Sequence, residues 1–167
     1  MPTATTTIGA IIKQMETTIR GLTPALLDDV AFRIMSTRRD FEEWSETNPA
    51  ASFRRYQIRD VGEYEPPTIS NTDVEMLTTE LELTMSYPMD LSGAYADSTV
   101  PPDDRQDVED LMRQDMHQIR DAIGINGSAN YATGQIVARE QSLTIEDGES
   151  VIFLTMPFET IFYRSMP

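Results

Sequence analysis

The sequence predicts an α+β fold, a single domain built on a mixed, mostly antiparallel β-sheet with two main α-helices packed on it. Three observations carry this reading. An apolar stripe at helical spacing opens the chain in "TTTIGAIIKQMETTIRGL", and a strand of strict alternation, "TTELELTMSYP", lies near its middle. A strongly amphipathic helix is then followed by a hairpin that ends on the long apolar run "EDGESVIFLTMPFETIFYRSMP". A chain of 167 residues is about the size of one domain and long enough to bury a hydrophobic core without metal or disulfide support.

In the first helix Ile8, Ile11, Ile12, Met15 and Ile19 fall on one face; threonines precede it as N-caps and Gly21 follows as its stop. Residues 24–67 read as irregular, a candidate extended interface region, because no single period persists. Within them we place a short strand at "AFRIMS", a helical turn at "RDFEEWSETNP" and a longer strand at "SFRRYQIRDVGEY". In that strand Phe53, Arg55, Gln57 and Arg59 share one face and Arg54, Tyr56 and Ile58 the other; neither is cleanly apolar, which suits an edge. The two prolines of "EPPTISNT" then break regularity.

The clearest strand starts at Asp73 and runs to Pro88. Leu81, Leu83, Met85 and Tyr87 alternate with Glu80, Glu82, Thr84 and Ser86, so one face packs on a core and one meets water. An irregular loop, "MDLSGAYADSTVPPDD", leads to the strongest helix. There Val108, Leu111, Met112, Met116, Ile119, Ala122 and Ile123 line one face, Asp103 and Asp104 sit at the N-terminus, and Gly124 is the expected stop. After a turn at "NGSAN" we expect one strand over "YATGQIVAREQSLTIE" with a bulge at Gly134, then a tight hairpin at Asp147-Gly148. Val151, Ile152, Phe153 and Leu154 are consecutive apolar residues, so the last strand should be covered on both faces. One face packs under the acidic helix, and the first helix or another subunit covers the other.

Charge is uneven. Residues 1–59 carry eight basic and seven acidic side chains, whereas residues 60–167 carry five and twenty-one, within a net charge of −15. The acidic part repels a phosphate backbone, which argues against ordinary DNA or RNA binding there. Twelve of the thirteen basic residues are arginine. This reflects either base composition or a use for bidentate pairing with carboxylates at an interface. The absence of cysteine removes disulfides, thiolate metal sites and cysteine nucleophiles, and suits an intracellular origin. No signal peptide and no stretch of membrane-spanning length is legible.

Catalytic constellations are not legible either. His117 is the single histidine and lies off the apolar stripe, so it reads as a solvated surface residue. The carboxylates at 103, 104, 107, 109, 110 and 115 lack the Ca²⁺-loop pattern and read as a solvated helix face. The glycines at 124 and 127 follow a helix instead of preceding one, so they form no phosphate cradle. We therefore expect no enzyme, no cofactor and no metal.

An interaction role has two supports. Arg38, Arg39, Phe41, Trp44, Phe53, Arg54, Arg55 and Tyr56 interleave arginine with aromatics, the types enriched at interface centres. The plainer alternative is that Trp44 and Phe53 cap the core, and both readings stay open at this point. The second support is the contrast between this stretch and the acidic remainder, which suits head-to-tail contact between copies.

The order of elements runs from an N-terminal amphipathic helix through a charged irregular region to "TTELELTMSYP". An acid-capped helix, "DRQDVEDLMRQDMHQIRDAI", follows, and then a hairpin ending on a long strand. This order resembles the tail terminator proteins of long-tailed bacteriophages, also called tail completion or minor tail proteins of the neck. The resemblance covers nearly the whole chain and rests on element order and the final hairpin, with no invariant motif. It implies a mixed sheet with helices packed on it and a virion protein of the tail or neck, assembled in the host cytoplasm. It further implies a homo-oligomeric ring, a hexamer, seated on the last tail-tube ring. Such a ring stops tube growth and meets the head-tail connector or stopper protein, with DNA passing through the lumen unbound and no membrane involved. Such proteins are not enzymes, and no residue roles carry over. The long 24–67 region departs from the pattern. Alternatives are another neck component (connector, stopper or tube subunit), an acidic DNA mimic that inhibits a basic partner, and, third, an enzyme using His117.

Overall fold

The computed structural model describes residues 8–27, 30–35, 40–62, 68–69, 74–90, 95, 102–130, 134–138 and 144–165; along 68–69, 74–78, 124–130, 134–138 and 161–165 it describes the backbone. The fold is α+β. In chain order the elements are α1 (Ile8–Arg20), β1 (Arg33–Ile34), α2 (Phe41–Thr47), α3 (Pro49–Ser52), β2 (Arg55–Asp60) and β3 (Thr68–Ile69). There follow β4 (Val74–Pro88), α4 (Arg105–Asn130), β5 (Gly134–Ala138), β6 (Thr144–Asp147) and β7 (Val151–Ser165).

Two long strands form the spine. β4 and β7 pair antiparallel over their whole length, from Val74 opposite Ser165 to Pro88 opposite Val151. The sheet runs β1-β2-β4-β7-β5, with β3 added to β4 and β6 added to β7. Only the two-residue β1–β2 pairing is parallel among the described strands, which makes the sheet mixed and mostly antiparallel. The apolar final run is thus an interior strand, with β4 on one side and β5 and β6 on the other.

The alternation in β4 sorts the two faces. Leu81, Leu83, Met85 and Tyr87 stand opposite Phe158, Met156, Leu154 and Ile152, and all eight are buried. Onto them pack Ile11, Met15 and Ile19 of α1 and Val108, Leu111, Met112, Met116, Ile119 and Ile123 of α4. Both main helices therefore lie on one face, and α1 does not cover the other. That second face is covered at its hairpin end by α2, where Phe41 and Trp44 meet Val151 and Phe153, and by the buried Ser45–Ser86 contact. The four consecutive apolar residues of β7 need both layers, as their lack of alternation implied.

Several local expectations are corrected. Among its described residues the 24–67 region is more regular than expected: the short strand, helical turn and longer strand placed within it stand as β1, α2 and β2, and α3 is added. Asp40 caps α2 by accepting from the Glu43 N–H at 3.1 Å, and Pro49 opens α3, where a missing N–H costs nothing. β2 begins only at Arg55, because Arg54 has a left-handed backbone (φ 54°). That turn breaks the alternation and sends Phe53 and Arg54 together to the helix-covered side. Thr68–Ile69, expected as linker, pairs with β4.

α4 runs through Gly124 and the expected turn at 126–130 to Asn130. Its start lies beside the hairpin, where Arg105 pairs with Asp147, while β5 begins opposite Phe162 near the far end of β7. The chain must span that length. As a helix the twenty-six residues of α4 span ~39 Å. Interior glycines cost a helix about 0.5–1 kcal/mol each, so Gly124 and Gly127 weaken α4 without ending it. The expected single strand over 131–146 is two strands. Between Ala138, opposite Phe158, and Thr144, opposite Thr155, six steps on one side match three on β7, so the register shifts.

A candidate interface on the β1–β2 edge

The left-handed turn at Arg54 positions a buried charge. Its guanidinium donates from Nε to Asp115 Oδ2 at 2.7 Å and from Nη2 to Asp115 Oδ1 at 2.8 Å, with both side chains fully buried. Its other N–H groups donate to the carbonyls of Leu26, Leu27 and Val30, so all five donors are used. The Tyr87 hydroxyl donates to Asp115 Oδ2 at 2.8 Å, and the guanidinium lies 5.4 Å from the Phe32 ring centroid and 5.1 Å from that of Phe53. Burial raises the Asp115 carboxyl above its ordinary value, against the opposing hydrogen bonds and charge of Arg54 and the hydroxyl of Tyr87. Burial also holds Tyr87 well above the usual phenol range.

This network fastens the α1–β1 connection to α4. Gln118 adds to it, accepting from the Ala25 N–H and donating to the Thr23 carbonyl. Among its described residues the connection makes few backbone hydrogen bonds of its own, and side chains satisfy several of its carbonyls. The arrangement is structural and offers no reacting atom to solvent.

The surface beside it is different. Arg33 of β1 stands directly opposite Arg55 of β2, and Arg59 follows on the same face of β2 as Arg55. Arg33 is exposed and Arg55 half-buried. Arg55 lies 5.8 Å from the Trp44 ring centroid and donates to the Ala51 carbonyl at 3.3 Å. Burial, and then the charge of Arg33, depress the Arg55 guanidinium below its usual value. Arg59 pairs with Glu82 at 3.0 Å in a solvent-exposed contact. Among the described residues neither Arg33 nor Arg55 has a carboxylate partner. Like charges placed opposite across a strand pair are unfavourable.

The sequence-derived interface candidates divide accordingly. Arg38 and Arg39 lie outside the described residues. Phe41 packs against Phe153 with ring centroids 6.1 Å apart. Phe53 packs edge-on to Tyr95 at 4.8 Å, and Tyr56 is buried with its hydroxyl 3.5 Å from the Glu16 carbonyl. Phe41, Phe53, Arg54 and Tyr56 are thus interior residues of a single copy and cannot form an interface centre. Trp44 and Arg55 remain at the surface. Sequence reasoning passed over Arg33 and misplaced Asp115, which is buried and is not part of a solvated helix face. A helical projection carries a signal for Asp115, which lies four residues from Leu111 and from Ile119 along the apolar stripe.

Elsewhere, a cavity of about 150 Å³ is lined by Met89, Arg105, Val108 and Ile152. Arg105 is engaged there by Asp147 at 2.8 Å and Glu109 at 3.0 Å. His117 is exposed, with Nδ1 3.0 Å from Arg120 Nη2. Among the described residues no group of three or more His, Asp or Glu converges as a metal site, and no helix is long and apolar enough to cross a membrane. Compared with models of known protein families the chain matches none, and a comparison with curated proteins finds no relative.

Proposed function

We propose that the chain is a structural protein of a bacteriophage neck, a tail terminator that forms a ring on the last tail-tube ring, ends tube growth and meets the head connector. The observation that carries this reading is the element order. A leading amphipathic helix, a long alternating strand, an acid-capped helix and a hairpin closing on a strand paired with the first one are the parts the resemblance names. The charge distribution is compatible with it, since a lumen lined by the acidic part of the chain would let DNA slide without adhering. The test is negative-stain electron microscopy of the purified protein with and without isolated tail tubes, supported by light scattering. Rings, or density capping one tube end, are expected; a protein that never engages a tube end would overturn the reading.

One observation favours a second reading. Just ahead of α4 and along its first two turns, Asp103, Asp104, Asp107 and Asp110 are exposed, the kind of carboxylate array that a DNA mimic presents. That reading requires a discrete monomer or dimer whose complex with a basic partner weakens steeply with salt.

A further inference from the structure

The two outer edges of the sheet carry opposite charge. On one side β1 covers only Arg55 and Tyr56 of β2, and among the described residues no strand pairs with the outer side of Gln57–Asp60. Arg33, Arg55 and Arg59 lie along this edge. On the other side β6 pairs, among the described residues, with β7 alone, and all four of its residues are exposed, Ile145 to 37 %. A strand bare on both faces is unusual, because nothing there pays back the ordering of its side chains. Glu146 of β6 and Glu149 of the following turn are exposed, and neither carboxylate meets a cation among the described residues.

Strand sense also matches. β2 runs antiparallel to β4, β4 antiparallel to β7, and β6 antiparallel to β7. It follows that β6 and β2 point in opposite senses. Between copies related by a rotation that preserves strand sense, β6 of one meets β2 of the next as an antiparallel pair, whose ladder is the more stable kind.

We infer that a second copy of this chain is the partner of the β1–β2 edge: its acidic β6 edge, with Glu146 and Glu149, docks along Arg33, Arg55 and Arg59. The contact extends the sheet from copy to copy and supplies the carboxylates that the facing pair Arg33 and Arg55 lacks. Because the two surfaces differ, the contact is heterologous and repeats in one direction, closing into a ring where the rotation allows. The inference deepens the ring-forming function proposed above and rests on it for the closed form.

The test uses two full-length variants, Arg33→Glu and Glu146→Arg, both at exposed positions. Each is measured for mass by size exclusion with light scattering across concentration and salt, with circular dichroism as the check on folding. The wild-type protein is expected to self-associate, and each variant to do so at least about tenfold more weakly. An equimolar mixture of the two is expected to recover association, since each joint then pairs opposite charges. Association unchanged in both variants would overturn the edge contact while leaving the ring reading intact. Folded variants that fail to complement in the mixture, or a wild type monomeric at every concentration, would also overturn it. Capping of isolated tail tubes by that same wild-type protein, read by microscopy, judges the neck function separately.

Discussion

Arg54 and Asp115, sixty-one residues apart in sequence, form a two-pronged ion pair in the interior, at 2.7 and 2.8 Å. One comes from a left-handed turn ahead of β2 and the other from the middle of α4. The turn and its partner Leu27, also left-handed at φ 50°, are joined by the Arg54 Nη1 donation to the Leu27 carbonyl. Backbone of this kind persists only where its surroundings over-determine it.

Removing one member of this pair strands the other. Arg54→Met and Asp115→Leu are each expected to destabilise the fold by about 3–5 kcal/mol, because an uncompensated charge or its unmatched donors stay buried. The double variant is expected to lose less than the sum of the two. Tyr87→Phe removes the hydroxyl that donates to Asp115 and should cost about 1–3 kcal/mol. Urea unfolding of the four proteins gives the cycle; additive losses would show that the pair is not coupled.

Glu46 and Gly148 form a second, smaller device. The Glu46 carboxylate accepts from the N–H groups of Glu149 at 3.0 Å and Ser150 at 2.6 Å, the two residues that turn the β6–β7 hairpin. A Cβ on Gly148 would occupy the place of that carboxylate. Gly148→Ala and Glu46→Gln should each cost about 1 kcal/mol, and together little more than either alone. Amide exchange at 149 and 150 reports the loss directly and should speed up equally in all three variants.

Gly62 is fixed by close approach. Its N–H and that of Val61 both donate to the Glu80 carbonyl, and a Cβ there would lie 2.4 Å from the Glu80 nitrogen. The obstacle is backbone and cannot rotate away. Gly62→Ala is expected to cost about 1–3 kcal/mol in thermal or chemical unfolding. A neutral effect would mean that the β2 exit shifts freely.

The buried phenols give a pH dependence with a definite sign. Burial, and then the negative charge of Glu16, push Tyr56 up to about 12, with Arg20 opposing; Tyr87 and Tyr95 are also raised, chiefly by burial. The folded state therefore holds these protons more tightly than the unfolded chain, whose phenols ionise near pH 10. Stability is intact below that value and falls as pH climbs toward 12 and beyond. Phenolate absorbance should show three of the six tyrosines titrating only as the circular dichroism of the fold is lost. Complete titration with the fold intact would refute this.

What was legible in the sequence follows from the range of the forces involved. The stripes of α1 and α4, the alternation in β4 and the apolar run of β7 are local patterns set by burial, and each element appears where its pattern lies. What sequence did not disclose depends on partners distant in the chain. α4, which continues past Gly124, packs against β5. The burial of Arg54 is set by Asp115, and the turn of the final hairpin is held by Glu46 across about a hundred residues. The arginine-aromatic cluster misled for the same reason. Its composition suits an interface centre, yet one left-handed residue turned Phe53 and Arg54 inward, leaving Trp44 and Arg55 outside.

The full-length pairing of β4 with β7 also sets a timetable for biosynthesis. Every described element precedes β7 in the chain, yet β4, β5 and β6 all hydrogen-bond to it. A ribosome adding about 5–20 residues per second takes several seconds to travel from the end of β4 to the end of β7. Throughout that interval β4 lacks its full-length strand partner. The sheet can therefore be completed only after the last strand has emerged, since β4, β5 and β6 all need it as a partner.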